Sequence, residues 1–129
     1  EVLNKHIGLR RSMHQFYQAL FKDIEGISVF KEPTCDYYSN HWLSCILINA
    51  EITGFNRETL RLHLEKHNIE SRPLWKPMHL QPVFKDAAYF GGTVAESLFK
   101  NGLCLPSGSN LTDADRARIK SSIRKMITS

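Results

Sequence analysis

No run of apolar residues in this 129-residue chain approaches the stretch of about 18 needed to cross a bilayer, and no charged-then-apolar leader opens it. Neither a membrane span nor secretion is expected. Cysteine is scarce: Cys35, Cys45 and Cys104 are odd in number and lack C-x-x-C spacing, which argues against a disulfide framework and against a cysteine zinc site. Reduced thiols in a cytoplasm are the simpler expectation. Dense charge runs are also missing. The chain carries a net charge of +4 with a pI near 9.1, yet its cations are spread from Lys5 to Lys125, which favours a mixed solvated surface over a nucleic-acid partner. There is no internal repeat and no low-complexity tract, and the one glycine pair, Gly91-Gly92, is too weak to be a dinucleotide fingerprint. A chain of this size is expected to form one domain with its own core. It begins at Glu1 with a helical pattern already running and no cap ahead of it, so a piece of a longer protein is expected.

What is present is strong periodicity. Met13, Phe16, Tyr17, Leu20, Phe21 and Ile24 recur at three- and four-residue steps, predicting a first helix to about Lys22 that stops near Gly26. Ile27 to Phe30 reads as a short strand, residues 33–36 as a turn, and His41 to Ala50 as the central strand. Asn56 caps a second helix, with Phe55 and Leu60 as its hydrophobic staple, ending at Asn68. Thr93 and Glu96 form a capping-box pattern ahead of a short helix closed by Gly102. Leu103 to Leu105 is a brief strand, and Thr112 with Asp115 caps a last helix bearing Ile119, Ile123, Met126 and Ile127. Short strands separated by helices predict an α+β, two-layer domain with a small, largely antiparallel sheet.

The unusual stretch is 69–84, IESRPLWKPMHLQPVF, with three of the five prolines. Proline disfavours helix at the residue before it, so Arg72, Lys76 and Gln81 are expected to be non-helical and the segment a short strand running into an extended loop. Leu74, Trp75, Met78, Leu80, Val83 and Phe84 gain nothing by exposure, so a covered, stiff loop is expected. Met78 and Leu80 should point inward, with His79 directed to the opposite side. Arg72, Lys76 and His79 on such a frame suit recognition of a charged, polyhydroxylated ligand. The same residues also suit a plain structural role, with Arg72 paired to Glu70 and His79 bonded within its loop. Trp75 fits a core aromatic and a sugar platform equally.

Other constellations read as structural. His63 and His67 have metal-like i, i+4 spacing, but Leu64 stands where a zinc protease needs glutamate. Asp113 and Asp115 suit the first turn of a helix, and Ser107-Gly108-Ser109 reads as a capped turn ahead of an anion cradle because no phosphate-loop lysine follows.

The runs SRPLWKPMHLQPVF and GG-x-VAE-x-LF-x-x-GLCLPSGSNLT, followed by an amphipathic helix, resemble the C-terminal part of the DegT/StrS-type sugar aminotransferases. The resemblance extends over essentially the whole chain. It implies the small C-terminal domain of the fold type I (aspartate aminotransferase) architecture, a sheet with helices packed on one side. It also implies a parent that uses pyridoxal phosphate to aminate a keto group on a nucleotide-linked sugar, taking the amino group from an amino acid such as glutamate, in a cytoplasmic homodimer. His79 is then implied to face the sugar; Lys76, Arg72 and Trp75, singled out by their own chemistry, are the other candidate substrate-binding residues. The lysine that forms the Schiff base, its partner carboxylate and the family's Asn-aromatic-Arg stretch have no match here, and Lys76, followed by proline, is not assigned to that lysine's role. No catalytic, cofactor-binding or metal residue is therefore expected, and the piece alone should be inactive. The alternative is a self-standing binding module for an anionic ligand or nucleic acid.

Overall fold

The computed structural model describes residues 1–128. Helix α1 (Leu3–Phe21) leads through a glycine turn into β1 (Ile27–Val29), then β2 (Ser44–Ile48). At that turn Gly26 has φ +82°, and a Cβ there would lie 2.8 Å from Thr53 Cγ2, so both backbone and space demand glycine. A one-turn helix, α2 (Ala50–Thr53), follows β2. The sequence reading missed it; its signal was Asn49, whose side chain accepts from the Glu51 N–H, with Gly54 in the left-handed conformation at the other end.

Helix α3 (Arg57–Lys66) starts where expected, with the Asn56 side chain accepting from the N–H groups of Glu58 and Thr59. Then come β3 (Arg72–Pro73), two short 3-10 turns, α4 (Val94–Asn101), β4 (Gly102–Leu105) and α5 (Asp113–Ile127). Both halves of the capping box at Thr112 and Asp115 form.

The four strands make an antiparallel sheet in the order β1-β2-β4-β3. Residues alternate across it, so Ser44, Ile46 and Ile48 of β2 face one way with Leu103 and Leu105 of β4. On that face Met13, Tyr17, Leu20 and Phe21 of α1, Leu60 and Leu64 of α3, and Ile119 and Ile123 of α5 complete one core. Each such side chain contributes roughly 1.5–3 kcal/mol by burial. Tyr17 is fully buried and its hydroxyl donates to the Pro106 carbonyl at 2.9 Å, so the polar tip is not left unpaired.

The helical layer is α1, α3 and α5; α4 lies on the other face. There Ser97 and Lys100 share a cavity with Ser28 and Leu47, and Leu98 shares one with Cys45 and Leu74. Gly102 sits beneath this cover, and a Cβ on it would lie 2.1 Å from Leu74 Cδ1 and 2.5 Å from the Leu98 carbonyl. The rest of that face is open, and Phe30, Tyr37, Tyr38, Trp42 and Trp75 are all exposed around it.

Candidate substrate-facing site

The segment after β3 is less extended than its prolines suggest. Arg72 and Gln81 are extended, and Lys76 lies outside any helix, but Met78–Leu80 and Pro82–Phe84 each wind into a 3-10 turn. Proline suits the first position of such a turn, since its missing N–H would have no partner there. The turns reverse the expected side-chain directions. Met78 is 60% exposed and Leu80 39%, whereas the His79 side chain is only 17% exposed. Nor is the segment covered: Trp75, Val83 and Phe84 are exposed as well.

His79 turns inward because two partners hold it. Its Nε2 lies 2.9 Å from Glu96 Oε1 on α4, and its ring stacks on Tyr89 with centroids 3.8 Å apart and planes 27° from parallel. Tyr89 is fixed in turn by donating its hydroxyl to the Gly92 carbonyl. A carboxylate only accepts, so Nε2 carries a proton, and in the neutral ring Nδ1 is then the acceptor. Glu96 therefore serves a tertiary contact and not the capping box. Thr93 makes no side-chain cap bond either, its ψ of 4° being far from the extended N-cap conformation that aims the hydroxyl at the first-turn N–H groups.

Trp75 does not stand alone. Its ring lies 5.9 Å from that of Trp42, which precedes β2, with planes tilted by 35°. The pair borders a cavity of about 640 Å³ also lined by Arg72, Cys104, Ser107 and Arg118. Arg10 supports the rim by donating to the carbonyls of Trp42 and Ser107. Ser107 itself is structural, accepting from the Ser44 N–H and donating to the Leu105 carbonyl, both at 2.7 Å. Arg72 is exposed and paired with Glu70 at 2.6 Å, while Lys76 is exposed and lines none of the larger cavities. The structure thus brings Arg72 and Trp75 to one cavity, holds His79 on a separate ledge, and leaves Lys76 apart. Sequence reasoning missed Glu96, Tyr89 and Trp42.

Beside this face lies a polar knot. Arg11 pairs with Glu32 at 2.8 Å, donates to the Ser39 carbonyl and sits over the Tyr38 ring at 4.2 Å. The hydrogen bond from Arg11 holds the Glu32 carboxyl down at about 2. His14 of α1 stacks on His41 with centroids 3.7 Å apart, and neither ring nitrogen of His14 has a hydrogen-bond partner. Burial, then the neighbouring His41, lowers His14 to about 4, and burial also lowers His41. His63 and His67, the metal-spaced pair, bond instead to the carbonyls of Ser122 and His63.

Pyridoxal phosphate needs a desolvated lysine beside a carboxylate that can face the pyridine nitrogen. Every lysine among the described residues is exposed, so the residues of this chain do not fit that group.

Fold and sequence define the same class. The DegT/DnrJ/EryC1/StrS aminotransferase family matches residues 1–124, and the chain belongs to that family. It is 36% identical over 123 residues to the "Putative pyridoxal phosphate-dependent aminotransferase EpsN" of Bacillus subtilis (strain 168), covering 92% of this chain and 31% of that protein. It is 32% identical over 129 residues to the GDP-perosamine synthase of Caulobacter vibrioides, covering 98% of this chain and 34% of the relative. The crystal structure of DesI in the presence of its TDP-sugar product superimposes with a TM-score of 0.84 at 22% identity, covering 98% of this chain and 32% of that one. The chain spans about a third of the length of the relatives it matches. Among the described residues, no helix is long and apolar enough to cross a membrane.

Proposed function

We propose that this chain is the C-terminal, substrate-facing domain of a pyridoxal-phosphate-dependent aminotransferase that aminates a keto group of a nucleotide-linked sugar. The observation that carries the reading is the half-buried imidazole of His79, fixed by Glu96 and Tyr89 on an otherwise exposed, proline-stiffened ledge. Such a ring is pre-positioned to accept one hydrogen bond from a sugar hydroxyl at Nδ1. Trp75 with Trp42 offers an apolar wall for a sugar or base face, and Arg72 a cation near the same cavity for a phosphate. Lys76 is assigned the outermost place, reaching ligand through solvent.

The open apolar face fits the same reading. Phe30, Tyr37, Tyr38, Trp42 and Trp75 gain cover only when a larger partner lies over them, which in the parent is the cofactor-bearing domain. That domain supplies the lysine and the cofactor's carbanion-stabilising chemistry. This chain binds and orients the sugar and excludes water from it. An amino acid, glutamate in our reading, donates the amino group, and the parent is a homodimer.

The test is the reading frame around the chain. It should encode on the order of 200 further residues ahead of Glu1, a length expected from domain sizes. Borohydride reduction of that full polypeptide with pyridoxal phosphate should fix the cofactor to one lysine outside the present chain. A start codon directly before Glu1, or a cofactor fixed to a lysine within the chain, would favour the self-standing binding module.

A further inference from the structure

Cys45 and Cys104, 59 positions apart, are brought face to face by strand pairing. They are register partners in the β2–β4 ladder, with sulfurs 3.6 Å apart. The Cys45 carbonyl accepts from the Phe30 N–H on the β1 side, so the backbone polar groups of Cys45 point away from β4. The Gly102 carbonyl, of the same parity as Cys104, accepts from Leu74 on the β3 side. The pair is therefore of the non-hydrogen-bonded kind, in which facing side chains approach most closely. Bonding the sulfurs at about 2.05 Å needs a rotamer adjustment but no change of register.

Both thiols lie on the face away from the main core, Cys45 half-buried and Cys104 buried at the wall of a cavity. Cys104 lines the cavity bordered by Trp42 and Trp75, and Cys45 lines a neighbouring cavity of about 550 Å³. Cys35, by contrast, is exposed and lines neither of these cavities.

We propose that Cys45 and Cys104 form a dithiol modification site that closes to a cross-strand disulfide on reaction with a small-molecule disulfide. The S–H···S contact between them, which either sulfur can donate, holds the Cys104 thiol down and pushes that of Cys45 up, so Cys104 is the first nucleophile. Its thiolate attacks one sulfur of the reagent, breaking that S–S bond and releasing one thiol after proton uptake. The Cys45 thiolate then attacks the Cys104 sulfur and expels the second reagent thiol. Two protein thiols lose two hydrogens and two electrons, and one reagent disulfide becomes two thiols. The new bond ties the two central strands together beneath the Trp42–Trp75 cavity and fixes the strand on which β3 pairs.

Glutathione disulfide is the probe, on the chain carrying Cys35→Ser so that the exposed thiol is silent. After alkylation and digestion, mass spectrometry should find Cys45 and Cys104 in one linked peptide pair, with the intact chain lighter by about 2 Da and restored by dithiothreitol. In urea the link should give way to glutathione adducts. Adding Cys45→Ser should leave a stable glutathione adduct on Cys104. Two unmodified thiols in the folded chain, or adducts on either cysteine that never resolve to the link, would overturn the proposal.

Discussion

His79 Nε2 and Glu96 Oε1 stand 2.9 Å apart although 17 positions separate them, and this one bond ties the proline-rich ledge to α4. Without it, the ledge would be left with the stacking of His79 on Tyr89, the Leu74 N–H bond to the Gly102 carbonyl and its own 3-10 turns. Glu96→Ala should therefore loosen the ledge while leaving the main core intact. Amide exchange across 78–90 should rise, exchange in β2 and β4 should stay protected, and the loss of stability should be about 1–2 kcal/mol. Unchanged exchange at the ledge would show that Tyr89 alone holds His79.

Gly102→Ala tests the cover on the second face. The added methyl meets Leu74 Cδ1 and the Leu98 carbonyl well inside contact distance, and the carbonyl belongs to backbone that cannot simply turn aside. A loss of about 1–3 kcal/mol is expected from overpacking, read as a lower urea midpoint with an unchanged m-value. Gly54→Ala has open space but a left-handed φ of +74°, so it should cost about 1 kcal/mol through backbone alone.

Acid should weaken the fold through the stacked histidines. The unfolded imidazole titrates at 6.5 and folded His14 at about 4, so between these values the unfolded state binds the extra proton. Stability should therefore fall as pH drops through that window, by at most about 3 kcal/mol for His14. Arg11, Lys31 and His41 oppose the charged form and Glu32 favours it. Glu32 is also depressed, but its contribution is lost only below 4.5, so measurements between pH 7 and 5 isolate the histidines. In His14→Leu the slope over that range should flatten; a slope like that of the parent chain would assign it elsewhere.

Periodicity and capping made most of the frame readable in advance. The apolar stripe of α1, the Asn56 cap of α3 and the Thr112–Asp115 box of α5 are local, and local signals survive folding. Where the reading failed, a tertiary partner had intervened. Thr93 and Glu96 match a capping box in sequence, but His79 claims the glutamate. His79 was expected to point away from Met78 and Leu80 on an extended chain, and it does separate from them. The 3-10 turns, however, send the imidazole inward and the two apolar residues outward. The pairing of Trp42 with Trp75, like that of Cys45 with Cys104, depends on sheet order, which no short-range pattern encodes.

The most direct test is His79→Ala in the full enzyme, assayed with a keto-sugar nucleotide. Losing one hydrogen bond costs on the order of 1 kcal/mol, so kcat/KM for the sugar should fall about fivefold or more. The cofactor's absorbance should stay near that of the unmodified enzyme, while the melting temperature should fall about as far as in Glu96→Ala, which loses the same bond. Unchanged kcat/KM with a lowered melting temperature would contradict the account, making His79 a structural partner of Glu96 and nothing more.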